Sequence, residues 1–154
     1  MAQRPTLHVM IVTAQRTVFD GQAERVHAPG TEGQMGILPR HAPLLTTLAV
    51  GELRVKHING EDESFFIGGG FLEVNHNEVT VLADDAERAA SIDEAHAQEA
   101  RRRAQALLDS RGEGLDEAAV AAELERAVGR IRVVELQRRR GGRTRQPAPE
   151  DLGS

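Results

Sequence analysis

The chain changes character near Asp84. Before that point short apolar runs are interrupted every few residues by glycine, proline or asparagine, whereas from Ser91 no glycine or proline occurs until Gly112. Glycine and proline punctuate turns and break helices, so the first half reads as strands and the second as helix. Leu7, Val9 and Ile11 alternate with His8, Met10 and Val12, the period of two of a strand. Glu24 to Ala28 is shorter and more polar, and Leu53, Val55 and His57 alternate with Glu52, Arg54 and Lys56. Asn59-Gly60 is a strong hairpin signal. Segments at Ser64 to Ile67, Phe71 to Val74 and Val79 to Leu82 follow, with Asn75-His76-Asn77 as a further turn. No helix-length stretch separates these strands, which argues against a parallel α/β fold and for a β-sandwich or flattened barrel. The fold class is therefore α+β with two domains: an N-terminal antiparallel β-sandwich or flattened barrel over residues 1–86, a C-terminal antiparallel helical hairpin over 87–140, and a disordered tail at 141–154.

The second half carries helix punctuation. Ser91-Ile-Asp-Glu94 has the form of a capping box, with Ser91 as N-cap. Ala97, Ala100, Ala104 and Leu107 or Leu108 share one face at helical spacing. Glu99 stands four residues before Arg103, an arrangement that supports a helix slightly. Gly112 and Gly114 end this helix, and Asp116 caps a second whose stripe is Val120, Leu124, Val128 and Ile131, continuing toward Val134. Gly141-Gly142 is expected to end it. A face built largely from alanine buries little area, and each buried CH₂ is worth only about 0.8 kcal/mol. The helix pair should dock weakly, as an element with two states, held on the sandwich or released.

Composition narrows the function classes. No apolar run approaches the roughly 18 residues of a membrane span, and Met-Ala-Gln-Arg-Pro has no apolar stretch of a secretory signal. With no cysteine there is no disulfide or thiolate chemistry. A cytosolic, soluble protein or subunit is expected. The net charge of -5 is uneven: residues 1–88 hold 7 Lys and Arg against 12 Asp and Glu, and residues 89–154 hold 12 of each. Five arginines and no acid occupy 138–145, a pattern that suits nucleic acid or acidic lipid, or simply a solvated tail. Arginine outnumbers lysine 18 to 1 throughout, which weakens any special meaning of that run.

Enzymatic signatures are absent: the sequence has no P-loop and no H-E-x-x-H. Gly68-Gly69-Gly70 lies between strand-like segments, with no helix start to bind an anion, and reads as a bulge or close backbone packing. The six histidines share no ligand spacing, so no metal site is expected. No Ser-His-Asp arrangement stands out. The four phenylalanines all fall in the first half and are expected in its core. The rival reading is a β-sandwich adaptor with an arginine-rich nucleic-acid-binding tail, which would need exposed aromatics for base stacking.

The run from Gly30 to Leu45, Gly-Thr-Glu-Gly-Gln-Met-Gly-Ile-Leu-Pro-Arg-His-Ala-Pro-Leu-Leu, reads as a shaped loop. Its glycines permit left-handed or closely approached backbone, and Pro39 and Pro43 push Leu38 and Ala42 toward extended conformations. This run, Ile67-Gly-Gly-Gly-Phe-Leu-Glu-Val74 and Val79-Thr-Val-Leu-Ala-Asp84 together resemble the epsilon subunit of F-type ATP synthases. The similarity continues through Ile92-Asp93 into the helices and covers roughly residues 6–136. The tail from Gln137 lies outside it.

The resemblance implies a non-catalytic rotor subunit of the central stalk, at the cytoplasmic face of a bacterial plasma membrane, touching the membrane only indirectly. Its partners would be the gamma subunit, the ring of c subunits and the catalytic alpha/beta hexamer, with no nucleic acid. Glu32, Gly33, Gln34 and Met35, with His41, correspond to the contact with the c ring; Gln34 stands where some relatives carry an acid. The helical hairpin is regulatory in this family: compact, it lies beside the sandwich; extended, its second helix enters the hexamer and blocks ATP hydrolysis. Arg126, Arg130 and Arg132 would then meet acidic surfaces, or else are solvated charges on a helix face. No cofactor is required, but some bacterial members bind ATP as a regulatory ligand in the compact state, through an Ile/Leu-Asp-x-x-Arg-Ala motif. Ile92, Asp93 and Ala97 match that motif, and His96 replaces its arginine. Arg103, Arg126 and Arg130 align with the other basic positions and Glu87 with an acidic one. A neutral histidine cannot replace a bidentate guanidinium. Losing one charge-assisted hydrogen bond costs roughly 1.5–3 kcal/mol, about tenfold to more than a hundredfold in affinity. ATP binding is expected to be weak or absent.

Overall fold

A computed structural model describes residues 4–144. Seven strands come first: β1 Leu7–Val12, β2 Thr17–Gly30, β3 Gly33–Ile37, β4 Leu44–His57, β5 Asp62–Asn75, β6 Glu78–Ala83 and β7 Ala86–Arg88. A 3-10 turn at Ala89–Ser91 leads to α1 Glu94–Ser110 and α2 Glu117–Thr144. The strand order β1-β6-β5-β4-β2-β3 closes on itself because β1 also pairs with β2. The result is a flattened barrel, as the sequence predicts. Its closing pair, β1 with β6, is parallel, whereas the neighbours β1–β2, β2–β4, β4–β5 and β5–β6 are antiparallel.

Alternation decides the core. Leu7, Val9 and Ile11 of β1, Leu53 and Val55 of β4, and Phe65, Ile67 and Leu72 of β5 are fully buried inside the barrel. Phe19 meets Phe65 edge to face at 5.5 Å between ring centroids, a favoured aromatic geometry. Phe71, in contrast, is 52 % exposed and does not join the core. Its register neighbours are Thr47 and Leu82, so it points to the outer face.

Several strands are longer than the sequence suggests. β2 spans 14 residues because irregularities in its pairing, between Ala23 and Arg25 and between His27 and Gly30, absorb its polar interruptions. Ser64 to Ile67 and Phe71 to Val74 belong to one strand, bent at the triple glycine. Gly69 and Gly70 have φ of +94° and +133°, and a side chain on Gly70 would collide with the Leu82 carbonyl. This is the close backbone packing expected there. The bend lets β5 hand over from β6 to β7, with Gly68 N–H donating to Asp85 O at 2.7 Å. It thereby sets Asp85 and Glu87 on the rim that faces the helices. The strand β7 straddles the 86/87 boundary drawn from the sequence.

The run from Gly30 to Leu45 is not one loop. Residues 33–37 form β3, hairpinned to β2 through Thr31 and Glu32. Gly33 needs its φ of +133°, and a Cβ on Gly30 would lie 2.7 Å from Gly33 O. Gly36 meets nothing closer than 3.8 Å and is not forced. Beyond β3, His41 N–H closes a turn onto Leu38 O at 3.1 Å, with Pro39 leading and Arg40 at φ +67°. That left-handed position usually takes glycine; Asn77 Oδ1 holds it by accepting from Arg40 N–H at 2.6 Å.

The helix starts also differ from expectation. Asp93, not Ser91, caps α1, accepting from His96 N–H at 3.1 Å. Ser91 is taken up in the preceding 3-10 turn, which leaves the next acid in sequence to reach the third helical amide. Asp116 caps α2 as predicted, accepting from Ala119 N–H at 3.1 Å. Helix α2 runs through Gly141-Gly142 to Thr144 instead of stopping there. Glycine lowers helix propensity by about 1 kcal/mol but keeps its N–H, so it weakens a helix without ending it. The tail expected from 145 onward lies outside the described residues.

Helix α2 has two apolar stripes, not one. Val120, Ala127 and Ile131 are buried, and so is Val133. At about 100° per residue, Val133 lies on nearly the opposite side of the helix from the first three. It packs with Phe66 and Ala89 against the sheet. Gly129 shares that side and lets α2 approach: a Cβ there would lie 2.9 Å from the Phe66 ring and 3.1 Å from Val50. Val128 falls between the stripes on the outer side and is 44 % exposed. The helix α1 packs chiefly on α2, and α2 carries the pair's contact with β4 and β5.

Candidate functional site

Between β7, the start of α1 and the middle of α2 lies a cavity of about 310 Å³, lined by Glu87, Ile92, Asp93, His96, Ala97, Ala100 and Arg130. Six of the eight residues singled out for ATP converge here. Arg103 and Arg126 do not: Arg103 is exposed on α1, Arg126 is half-buried on α2, and neither lines the cavity.

Arg130 is the centre of this site. It falls between the two apolar stripes of α2, on the inner side, so the helix aims it at the β6–β7 rim. Its Nε donates to Glu87 Oε2 at 3.2 Å and its Nη2 to Asp85 Oδ2. The guanidinium lies over the Phe66 ring, 4.6 Å from its centroid, a favourable cation–π contact. Asp85 and Glu87 thus pair with one guanidinium, Asp93 lines the same cavity, and His96 offers its backbone N–H to Asp93 rather than to the cavity. A triphosphate entering this cavity would meet excess negative charge. Without a rearrangement of Arg130, the arrangement suits an interdomain ion-pair lock better than a phosphate site.

The other expected residues are dispersed. Glu32 sits exposed in the β2–β3 turn, Gly33 and Gln34 are exposed on β3, and Met35 packs against the barrel core. His41 lies past the opposite end of β3, about 17 Å of strand away at 3.3 Å per residue, with its ring Nδ1 donating to Ala42 O at 2.7 Å. Of the three arginines singled out on the second helix, Arg130 is engaged with the rim, whereas Arg126 and Arg132 form no ion pair among the described residues.

Three contacts of the site carried no signal in the sequence: Asp85, the Phe66 platform and the Gly129 approach. A second set ties the end of α2. Arg138 pairs with Glu94 at the start of α1, and Arg140 Nη1 donates to Glu52 Oε2 of β4 at 2.5 Å and to Ser64 Oγ at 3.4 Å. The hydrogen bond to Glu52 raises the Arg140 pKa further. Arg138 and Arg140, from the arginine-rich run, are therefore folded back onto the protein.

Comparison with known proteins now decides the family. Residues 6–89 match the model of the ATP synthase Delta/Epsilon chain beta-sandwich domain, and residues 90–135 match that of its long alpha-helix domain. The chain belongs to the ATP synthase epsilon family. It is 50% identical over 138 residues to the ATP synthase epsilon chain of Alkalilimnicola ehrlichii, covering 90% of this chain and 99% of that one. It is also 50% identical over 139 residues to the epsilon chain of Halorhodospira halophila, with coverage of 90% and 99%. In fold it resembles a chain in the Euglena gracilis mitochondrial ATP synthase structure of OSCP, F1 and c-ring, at TM-score 0.69 and 23% identity, over 81% of this chain and 79% of that one. The family's two domains are the barrel and the helix pair described above, and the family's helix model ends at 135, before Arg138 and Arg140. Among the described residues no helix is long and apolar enough to cross a membrane.

Proposed function

We propose that this chain is a non-catalytic subunit of the central stalk, coupling proton translocation to ATP synthesis through its barrel and restraining ATP hydrolysis through its helices. The observation that carries this reading is how the helix pair is attached. It rests on one small apolar cluster (Phe66, Ala89 and Val133) and on ion pairs at Arg130 and Arg140. Ion pairs between half-exposed groups are worth little net and exchange readily for other partners. A pair held this way can leave the barrel and offer Arg126, Arg130 and Arg132 to acidic surfaces of an alpha/beta hexamer.

The barrel supplies a face for gamma. Leu45, Phe71 and Leu82 are large, exposed and adjacent across β4, β5 and β6. Exposed apolar clusters of this kind mark protein contacts. The β2–β3 turn with Glu32 and the corner with His41 are then left for the c ring, at the cytoplasmic face of a bacterial membrane that the chain itself does not enter. ATP, if it acts on this chain, does so weakly, because Arg130 is neutralised by two carboxylates and His96 supplies no second guanidinium.

The test is a conformational lock in the full chain. Cysteines replacing Glu52 and Arg140, whose side chains meet across the β4–α2 contact in a protein with no cysteine of its own, can be joined by a short bismaleimide that fastens α2 to the barrel. Added to the cognate catalytic complex depleted of this subunit, the unlinked variant should slow hydrolysis and the crosslinked one should not. Equal inhibition by both forms would remove the switch and leave a coupling wedge only.

A further inference from the structure

The outer face of β2 and β4 holds an arrangement that a sheet ordinarily avoids. Arg25 stands directly opposite Lys56, and His27 directly opposite Arg54. Like charges facing each other across strands destabilise a sheet. Arg140 of α2 reaches the same face beside them, at Glu52 and Ser64. Two carboxylates stand against these groups: Glu52, shared by Arg140 and, at 3.7 Å, by Arg54, and Asp62, which the register sets opposite Lys56. Among the described residues, four permanent cations stand against these two carboxylates, and Arg132 and Glu125, in the walls of the adjoining groove, offset each other, which leaves two positive charges in excess there. Arg25 and Lys56 form no ion pair among the described residues, and the Arg25 Nε is buried without a hydrogen-bond partner there. A buried donor left unmade is costly. This groove of about 650 Å³ between the sheet face and α2, with His27, Glu52, Arg54, Glu125, Arg132 and Arg140 in its walls, opens at Arg54 and Arg140, two residues along the strands from Arg25 and Lys56.

We propose that this block is a binding site for a phosphate-class oxyanion, with ligands from both domains: Arg25, Arg54 and Lys56 from the sheet and Arg140 from α2. A dianion matches the excess charge, satisfies guanidinium donors with charge-assisted hydrogen bonds and relieves the cross-strand repulsion. The site is complete only when α2 is docked, so the bound anion tightens the docked state. It lies on the opposite side of α2 from the cavity around Arg130 and is separate from it. His27 reports on the block: burial and the neighbouring Arg54 and Arg25, aided by Arg140 and opposed by Asp62, hold its imidazole below the ordinary value. A bound dianion moves it back up.

Inorganic phosphate is the probe, titrated against chloride at matched ionic strength, with ATP in a parallel series. Phosphate should raise the midpoint of thermal unfolding, raise the His27 pKa read by proton NMR and slow amide exchange at the end of α2. The double variant Arg25→Gln, Lys56→Gln touches neither helix; it should fold at least as stably without phosphate and bind phosphate at least tenfold more weakly. Arg130→Gln touches none of these ligands and acts only by loosening docking, so it should weaken phosphate binding by no more than about fivefold, less than the double variant does. The proposal is overturned if phosphate does no more than chloride, or if binding survives in the double variant. It is also overturned if anion binding is seen with ATP alone and is abolished by Arg130→Gln, which assigns recognition to the other cavity.

Discussion

The barrel and the helix pair are held by different kinds of contact. Inside the barrel, apolar side chains from β1 to β6 meet in one closed cluster. Between α2 and the barrel, a smaller cluster is ringed by Asp85, Glu87 and Arg130 on one side and Glu52 and Arg140 on the other. Apolar burial is non-directional and has no alternative partner in water. An ion pair has many alternatives, including other proteins. The molecule concentrates permanence in one domain and exchangeability in the contact between the two.

This contrast can be broken by mutation. Phe65→Ala, in the barrel core, should cost about 3–5 kcal/mol in global stability, seen as an earlier midpoint in urea with both domains unfolding together. Val133→Asn should lose about 1–3 kcal/mol, the cost of burying an unpaired neutral polar group, but only from docking. Amides of α1 and α2 should then exchange freely while β4 and β5 stay protected; loss of protection in the barrel would contradict the separation. Arg130→Gln leaves Asp85 and Glu87 facing each other. It should weaken docking by about 1 kcal/mol, discounted because these side chains are partly exposed, with a smaller effect at high salt.

Arg40→Gly should stabilise the barrel by up to about 1 kcal/mol, because arginine at φ +67° carries left-handed strain that glycine does not. The smallest effect concerns pH. The folded-state pKa of His27 lies below its unfolded value of about 6.5. The folded protein therefore binds this proton less readily, and stability is lost as pH falls below 6.5 through the folded pKa. A His27→Gln variant should show a flatter decline on that acid side, measured by thermal midpoints from pH 7.5 downward.

Much of this organisation was legible in the sequence because it rests on local periodicity. The alternation in β1, the turn at Asn59-Gly60 and the Asp116 cap are all short-range signals, and each appears where it was expected. The triple glycine was readable as close packing. Its consequence was not, since the bend matters through Asp85, which meets α2 only after 45 further residues. The family motif located six residues of the candidate cavity, but the charge balance there depends on Asp85 joining from the strand rim. The single stripe expected on α2 failed for a related reason: a helix clasped between two surfaces needs two stripes, and the small residues Ala127 and Gly129 mark them less visibly than Val128, which faces outward. The parallel closure of β1 on β6 is likewise a long-range pairing that no local pattern announces.

Ring closure has a mechanical meaning. The strands β1, β2, β4, β5 and β6 each have partners on two sides, and among the described residues only β3 and β7 are left at an edge. A sideways load on any strand of the ring must shear two ladders of hydrogen bonds at once, and the neighbours share the strain around the circumference. Such a body turns as one piece. Twist entering at the Leu45–Phe71–Leu82 face would leave at the β2–β3 turn with little wind-up, while the helices, fastened at one flank, are free to lag or lead.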